Sequence, residues 1–311
     1  MADGLYKYLP ANLADVVFTE DNNVTLKFSK PKDFNDPYEL FLATNFEGEL
    51  DMLACYAEAI GELPQFPTTC FSRSPIVIPM WAHYSNNHSG FVIEFSEESI
   101  LEKFGEARFD NVHYEDVPSH DFSDLVGRVL HIGKPRYTYF LRAAVINAAY
   151  FQKSTCWAYE QERRMIVGNK DVSVSGDLML MNIPGKSVSS IICGARATLE
   201  TKNTLKEVAQ KISVDFYELK IGRTSATPYL IDQEGLTHLF SGETIEPSIN
   251  SCRSCSEPIG EGEESCSWCQ ITDEMKMAAA MSNPYRILDH YGGLENYIEQ
   301  MNSVGRARRK K

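Results

Sequence analysis

The sequence lacks any run of the roughly 20 apolar residues that a membrane helix needs. Its first residues, Met1-Ala2-Asp3-Gly4, lack the basic-then-apolar layout of a signal peptide. The expectation is a cytoplasmic protein with no membrane partner. A P-loop, GxGxxG, GxSxG and HExxH are also missing, so none of those motif-borne routes to function is open. No internal repeat and no low-complexity segment occurs. Basic charge is scarce: 30 Lys and Arg stand against 43 Asp and Glu, a net charge of -13. A body this acidic does not hold nucleic acid by bulk electrostatics, so any such contact is a local patch or a groove. The one obvious basic run is Arg306, Arg308, Arg309, Lys310 and Lys311. A short terminal run of this kind reads as a solvated tail.

The chain has 311 residues, 43% of them hydrophobic, which is enough to bury a sizeable core in one large or two ordinary domains. Up to about residue 235, short strands alternate with a few helices. Val24–Phe28 alternates apolar and polar residues, as a half-buried strand does. Phe91–Phe95 is another strand, after the turn-like Asn86-Asn87-His88-Ser89-Gly90. Strands are also predicted at Arg164–Val167, Leu178–Ile183, Val188–Cys193 and Phe216–Ile221. Helices are predicted around Leu50, Leu53, Ala54 and Ala57, over Tyr137–Phe151, and at Leu205, Val208, Ala209 and Ile212. Few long helices separate the strands, so the pattern predicts an α+β fold with a mixed or mainly antiparallel sheet. Residues 241–251 are polar, with a Gly and a Pro, and read as a linker. The expected organisation is a domain over 1–240 and a small module over 252–311. Leu294, Tyr297, Ile298 and Met301 share one helical face in the latter.

The cysteines fall into two groups. Cys55, Cys70, Cys156 and Cys193 lie mostly beside apolar residues and read as buried small hydrophobes. The other four are patterned: Cys252-x-x-Cys255, ten residues, then Cys266-x-x-Cys269. That spacing points to a four-thiolate tetrahedral zinc (Zn2+) site. Four thiolates leave no open position for water, so the ion would be structural. The loops carry Glu257, Glu261, Glu263 and Glu264 against a single Arg253, which disfavours a phosphate-gripping role. A folding staple or a protein-docking surface fits better.

Four further clusters carry side chains capable of chemistry. They are Tyr6-Lys7-Tyr8; Phe34-Asn35-Asp36-Pro37-Tyr38-Glu39; Cys70-Phe71-Ser72-Arg73 with Met80-Trp81-Ala82-His83-Tyr84; and Trp157-Ala158-Tyr159-Glu160-Gln161-Glu162-Arg163-Arg164. Each taken singly has an ordinary reading. Asn-Asp-Pro is a turn, Trp81 and Trp157 are core residues, and Glu160–Arg164 is a solvated charged face.

In order and type, these clusters resemble a bacterial family of uncharacterised domains linked to abortive infection. Its pattern is Tyr-Lys-Tyr, Phe-Asn-Asp-Pro-[Phe/Tyr]-Glu, Cys-Phe-Ser, Met-Trp-x-His-Tyr with a following Gly and strand, and Trp-x-Tyr-Glu-x-Glu-x-Arg. That layout in turn resembles the DarT-type ADP-ribosyltransferases, which modify nucleic acid. The resemblance implies an ADP-ribosyltransferase-like fold with NAD+ as co-substrate. It implies a nucleic-acid substrate, RNA or single-stranded DNA, and an antitoxin or chaperone protein partner. The toxin of a toxin–antitoxin–chaperone phage-defence system, acting on messenger RNA, is the identity it suggests. By the same resemblance, Tyr6, Lys7, Tyr8, Asn35, Phe71, Ser72 and Arg73 would bind the cofactor. Lys7 is a departure, since relatives carry His or Arg there.

The chemistry fits that resemblance. Cleaving the nicotinamide–ribose bond develops positive charge at the ribose C1′, as in glycoside cleavage. A carboxylate facing that charge stabilises it. Glu162 is the first choice because it directly precedes the apolar strand Met165-Ile166-Val167. Glu160 is two residues away, so an extended backbone aims both to one side, and one of them can deprotonate the acceptor. Tyr84 or Phe71 would stack on nicotinamide, Lys7 and Arg73 would hold pyrophosphate, and His83 would bond a ribose hydroxyl. Glu162→Ala is then expected to abolish transfer and leave the fold intact. A second reading is a metal-dependent nuclease using His83, His88, Asp36 and Glu39. A third is a non-enzymatic binding module built on the cysteine knuckle and Trp268.

Overall fold

The protein is described from a computed structural model, for residues 4–19, 21–36, 49–61, 64–117 and 122–308. The chain divides into two compact units. The first comprises residues 1–222 and 227–248, and the second 223–226 and 249–311. The architecture is mixed α and β, as the alternation of short strands and sparse helices requires.

The first unit is built on a ten-stranded sheet. From one edge the strands run Ile245–Pro247, Thr237–Phe240, Tyr229–Ile231, Asp215–Lys220, Val188–Cys193, Phe91–Ser96, Gly4–Leu9, Thr68–Ser72, Glu162–Ile166 and Arg108–Asn111. Every neighbouring pair is antiparallel except Val188–Cys193 with Asp215–Lys220. That parallel pair is joined by the helix Leu199–Ile212, the crossover that parallel strands require. The helix starts at Thr198, whose hydroxyl accepts a hydrogen bond from the Thr201 amide, and it buries Leu205 and Ala209, as its spacing predicts. A second sheet of three strands joins Asn23–Phe28, Leu178–Pro184 and Ser173–Ser175.

The first strand sits inside the large sheet and divides its residues between two cores. Leu5 and Leu9 pack into one with Phe71, Phe95 and Met165. Tyr6 and Tyr8 pack into the other with Trp81, Val92 and Leu219. This is the two-residue alternation of a strand buried on both faces. The Asn86–Gly90 turn is confirmed by left-handed backbone at Asn86, Asn87 and His88. A Cβ on Gly90 would lie 2.1 Å from the Leu9 carbonyl, so only glycine lets this turn close against the first strand. A helical layer of Leu50–Ile60, Ser123–Ile132 and Pro135–Tyr150 forms a third core around Tyr56, Val126 and Leu141.

The second unit holds the four patterned cysteines, followed by helices Asp273–Met281, Pro284–His290 and Leu294–Arg308.

Several expectations need correction. Ile245–Pro247, inside the stretch read as a linker, is an edge strand paired with Thr237–Phe240. Cys156 is exposed and Cys55 and Cys70 are only half-buried, so of the four scattered cysteines Cys193 alone is a buried core residue. Leu50 is exposed, and its helix instead buries Tyr56 and Ala59. Pro37, Tyr38 and Glu39 lie outside the described residues. So do the last three residues of the basic tail.

Candidate active site and metal site

The first strand pairs along its whole length with Phe91–Ser96, from Gly4↔Ser96 to Leu9↔Phe91. With Thr68–Ser72 it shares a single register pair, Tyr6↔Ser72. The sheet therefore opens along this seam. Lys7 reaches across it, and its ammonium donates to Thr69 Oγ1 and to the Cys70 carbonyl, each at 2.8 Å. A cavity of about 160 Å³ lies at the seam. Its walls include Lys7, Asn35, Tyr84, Lys153, Glu160 and Glu162, with Cys70, Phe71 and Ser72 from the middle strand.

Strand register explains why the charged groups converge. Ser72 pairs with Glu162 and Cys70 with Arg164, so these four side chains share one face of the sheet. Arg163 points to the other face, where its Nη2 donates to Glu97 Oε1 at 2.6 Å. Glu160 closes the short helix Thr155–Glu160, and Gln161 takes a left-handed turn at φ 47° before the strand begins. The two glutamates do face one centre, but that left-handed residue brings them there rather than the extended backbone expected from the sequence.

Nothing here is a solvated charged face. Glu160 is 4% exposed, Glu162 3% and Arg164 0%. Arg164 donates to Glu162 Oε1 through Nε at 2.6 Å and to Glu162 Oε2 through Nη2 at 3.3 Å. Its Nη1 donates to the Tyr150 carbonyl, and the guanidinium lies 5.4 Å from the Phe34 ring centroid. Lys153 donates to Glu160 Oε2 at 2.6 Å and to Glu162 Oε2 at 3.2 Å. Tyr84 donates to Glu160 Oε1 at 2.5 Å and accepts from Asn35 Nδ2 at 2.7 Å.

These contacts split the two carboxyls. Burial raises both, but at Glu162 the Arg164 and Lys153 cations more than reverse it, leaving that carboxyl at about 2. At Glu160 burial prevails over Lys153, and the nearby Glu162 charge adds to it, so its pKa is raised. Burial and the Glu160 carboxylate both raise the Tyr84 hydroxyl, which stays a donor. Burial lowers Lys7, whose two acceptors are neutral. One firmly ionised carboxylate thus lies beside one that takes a proton more readily, an arrangement suited to dividing electrostatic and proton-transfer roles.

The remaining expected site residues are placed as follows. Tyr6 and Tyr8 line the cavity, but their hydroxyls are engaged in the fold: Tyr6 donates to Glu94 and Tyr8 to the Ser74 carbonyl. Phe71 is a core residue whose edge reaches the cavity. The Ser72 hydroxyl accepts from the Ser74 amide. Arg73 is not among the lining residues. His83 is exposed and lies in a neighbouring open pocket with Asn35, Tyr84, Cys156, Trp157 and Tyr159. One of its ring nitrogens is 3.1 Å from the Tyr159 hydroxyl. The structure adds Lys153 and Arg164 as site residues. Lys153 lies in no motif, whereas Arg164 ends the Trp-x-Tyr-Glu-x-Glu-x-Arg pattern at strand spacing from Glu162.

In the second unit, the sulfurs of Cys252, Cys255, Cys266 and Cys269 lie within 4.8 Å of one another, and all four are free thiols. Cys255 and Cys266 are 3.7 Å apart. A tetrahedral ion with sulfurs at about 2.3 Å separates them by about 3.8 Å, so the set fits a metal ion such as zinc. Among the described residues it is the only group of three or more ligand-type side chains gathered in this way. His83, His88 and Asp36 form no such group. The buried Glu257 carboxylate accepts from the amides of Arg223 and Thr224 and from the Thr224 hydroxyl, which fastens that segment to the knuckle. The Trp268 indole donates to the Arg223 carbonyl.

Comparison with known families gives one match. Residues 80–165 carry a DUF2971 domain, a family described as protein of unknown function. The matched stretch runs from Met80 through the Glu160–Arg164 cluster and omits the first strand. No curated protein and no solved structure matches the chain. Among the described residues, no helix is long and apolar enough to cross a membrane.

Proposed function

We propose that this protein is an NAD+-dependent ADP-ribosyltransferase whose active site is the cavity at the open seam. The observation that carries the reading is the pair Glu160 and Glu162, converging on one cavity with split proton affinities. The reaction needs an ionised carboxylate against developing positive charge and a second group to take the acceptor's proton. Glu162 supplies the first and Glu160, with Tyr84, the second. A cavity near 150 Å³ admits a single benzene-sized ring, which matches the nicotinamide end and not the whole dinucleotide. The rest of NAD+ would extend outward past Asn35 and Tyr84. Lys7, a cation on neutral acceptors, is placed for an anionic group. Arg73 is left without a cofactor role in this reading.

The acceptor we propose is nucleic acid, RNA or single-stranded DNA. The neighbouring pocket, with Trp157, Tyr159 and His83 on its walls, offers stacking faces of the kind that unpaired bases use. The cysteine cluster would hold a structural zinc ion. Resemblance to the abortive-infection family supports a place in phage defence under the restraint of a protein partner. The exposed Trp268, Met275, Met281 and Tyr291 of the second unit are apolar surface that such a partner would bury.

Labelled NAD+ incubated with the full chain and, separately, total RNA, single-stranded DNA and cell lysate tests the reading. Label on one acceptor, lost in Glu162→Gln, supports it and names the acceptor. No label on any acceptor from folded, metal-loaded protein overturns it.

A further inference from the structure

We propose that Lys153 is a positioning residue that binds the Glu160 and Glu162 carboxylates into a single ionised pair facing the cavity. Its catalytic consequence rests on the transferase reading above, whereas the pairing itself does not.

Two carboxylates turned to one enclosed space repel each other, and burial penalises each charge further. A cation that reaches both is needed to keep them together. Arg164 reaches Glu162 through Nε and Nη2. Among the described residues it is Lys153 that bridges the two, at 2.6 and 3.2 Å. Its side chain is 4% exposed, and its ammonium lies over the Trp157 ring, 4.6 Å from the centroid.

The backbone is arranged to deliver this ammonium. Gln152–Lys153 is a two-residue strand paired in parallel with His113–Tyr114. The same pairing brings the Tyr114 hydroxyl to accept from the Glu162 amide at 2.7 Å, so one small sheet places both the clamp and one of its carboxylates. The loop between the clamp and Glu160 is fixed at its start by Asp116, which accepts from the Ser154 hydroxyl and from the Thr155 amide.

Among the described residues, the titratable groups around Glu160 are Lys153, Glu162, Tyr84, Tyr114 and the Tyr159 of its own turn. Among these Lys153 is the cation that lowers the Glu160 carboxyl, so its removal moves that carboxyl upward.

The test is carboxyl NMR on the full chain with ¹³C-labelled glutamate, the two signals being assigned through Glu160→Gln and Glu162→Gln. In Lys153→Met the Glu160 midpoint should rise by at least about one pH unit, and Lys153→Arg should restore most of the shift. Steady-state cleavage of NAD+ gives the second readout. The kcat of Lys153→Met should fall by about 100-fold, with KM for NAD+ changed by less than about threefold, because the clamp acts on the reacting centre and not on ground-state binding. If Lys153→Met does not fold, Lys153→Gln carries the same test. A Glu160 midpoint unmoved by loss of the Lys153 charge overturns the pairing. Wild-type protein that neither binds nor cleaves NAD+ overturns the transferase reading instead, and the carboxyl titration still decides the clamp.

Discussion

Glu162→Ala should unfold the protein's first unit more readily than any ordinary surface substitution, contrary to the expectation drawn from sequence. The reason is Arg164. Its side chain is fully buried, gives Nε and one Nη to Glu162, and gives its other Nη to the Tyr150 carbonyl. Truncating Glu162 takes that carboxylate away from a fully buried guanidinium. Breaking a buried pair from one side costs about 3–5 kcal/mol. At roughly 2–4 °C per kcal/mol for a unit of this size, the melting temperature should fall by about 10 °C. Glu162→Gln keeps the shape and one acceptor, so its cost should be nearer 1–3 kcal/mol, that of a compromised buried hydrogen bond, as a rough guide. Removing both partners, as in Glu162→Leu with Arg164→Met, should be milder than Glu162→Ala alone, because the buried guanidinium leaves together with its carboxylate. Thermal and urea melts followed by circular dichroism measure all three. If Glu162→Ala melts within about 2 °C of wild type, the buried pair is not holding the strand as described. Glu162→Gln is for this reason the proper loss-of-activity control.

Acid should weaken the same network. The Glu162 carboxyl is held at about 2 against an ordinary 4.5, so its contribution is present above about pH 4.5 and lost as pH falls towards 2. The acid limb of a stability–pH curve should flatten in Glu162→Gln, and an unchanged limb would refute the assignment. Cys266→Ser should release the bound metal and unfold the second unit, since metal binding and folding share one free energy in such knuckles. Metal analysis of wild type and variant checks this, and wild-type protein with no stoichiometric metal overturns it. Glu257→Gln should loosen residues 223–226, seen as faster amide exchange at Arg223 and Thr224. Unchanged protection there would show that the carboxylate is not what fastens the segment.

Much of the fold was legible because alternation is strong where strands bury apolar faces. Val24–Phe28, Phe91–Phe95 and Val188–Cys193 all fall inside observed strands for that reason. The cysteine cluster was legible because metal-ligand spacing is set locally, within two tight turns. The charged core was not. Glu162 and Arg164 alternate in a strand as apolar residues would, but hydrophobic patterning gives no weight to a face made of ions that neutralise one another. Lys153 was harder still. Its strand is two residues long, too short to show any period, and its partners, Glu160 and Glu162, lie seven and nine positions away.

The same geometry explains why the site falls at this seam. In a fully paired sheet the Cys70 carbonyl would take a backbone amide from the first strand. Here the strands share one register pair, and the Lys7 ammonium takes that carbonyl instead. The described lining includes Lys7, Lys153, Glu160 and Glu162, with Arg164 directly behind. Lys153 and Arg164 bond to the glutamates, whereas both acceptors of Lys7 are neutral. A half-buried cation with neutral acceptors favours an incoming anion. The cavity therefore presents opposite demands on its two sides: the carboxylate pair for a centre that becomes positive, and Lys7 for a group that is already negative. On the proposed transferase reading, a ligand carrying both characters a few bonds apart, as a phosphorylated N-glycoside does, would satisfy the two demands together.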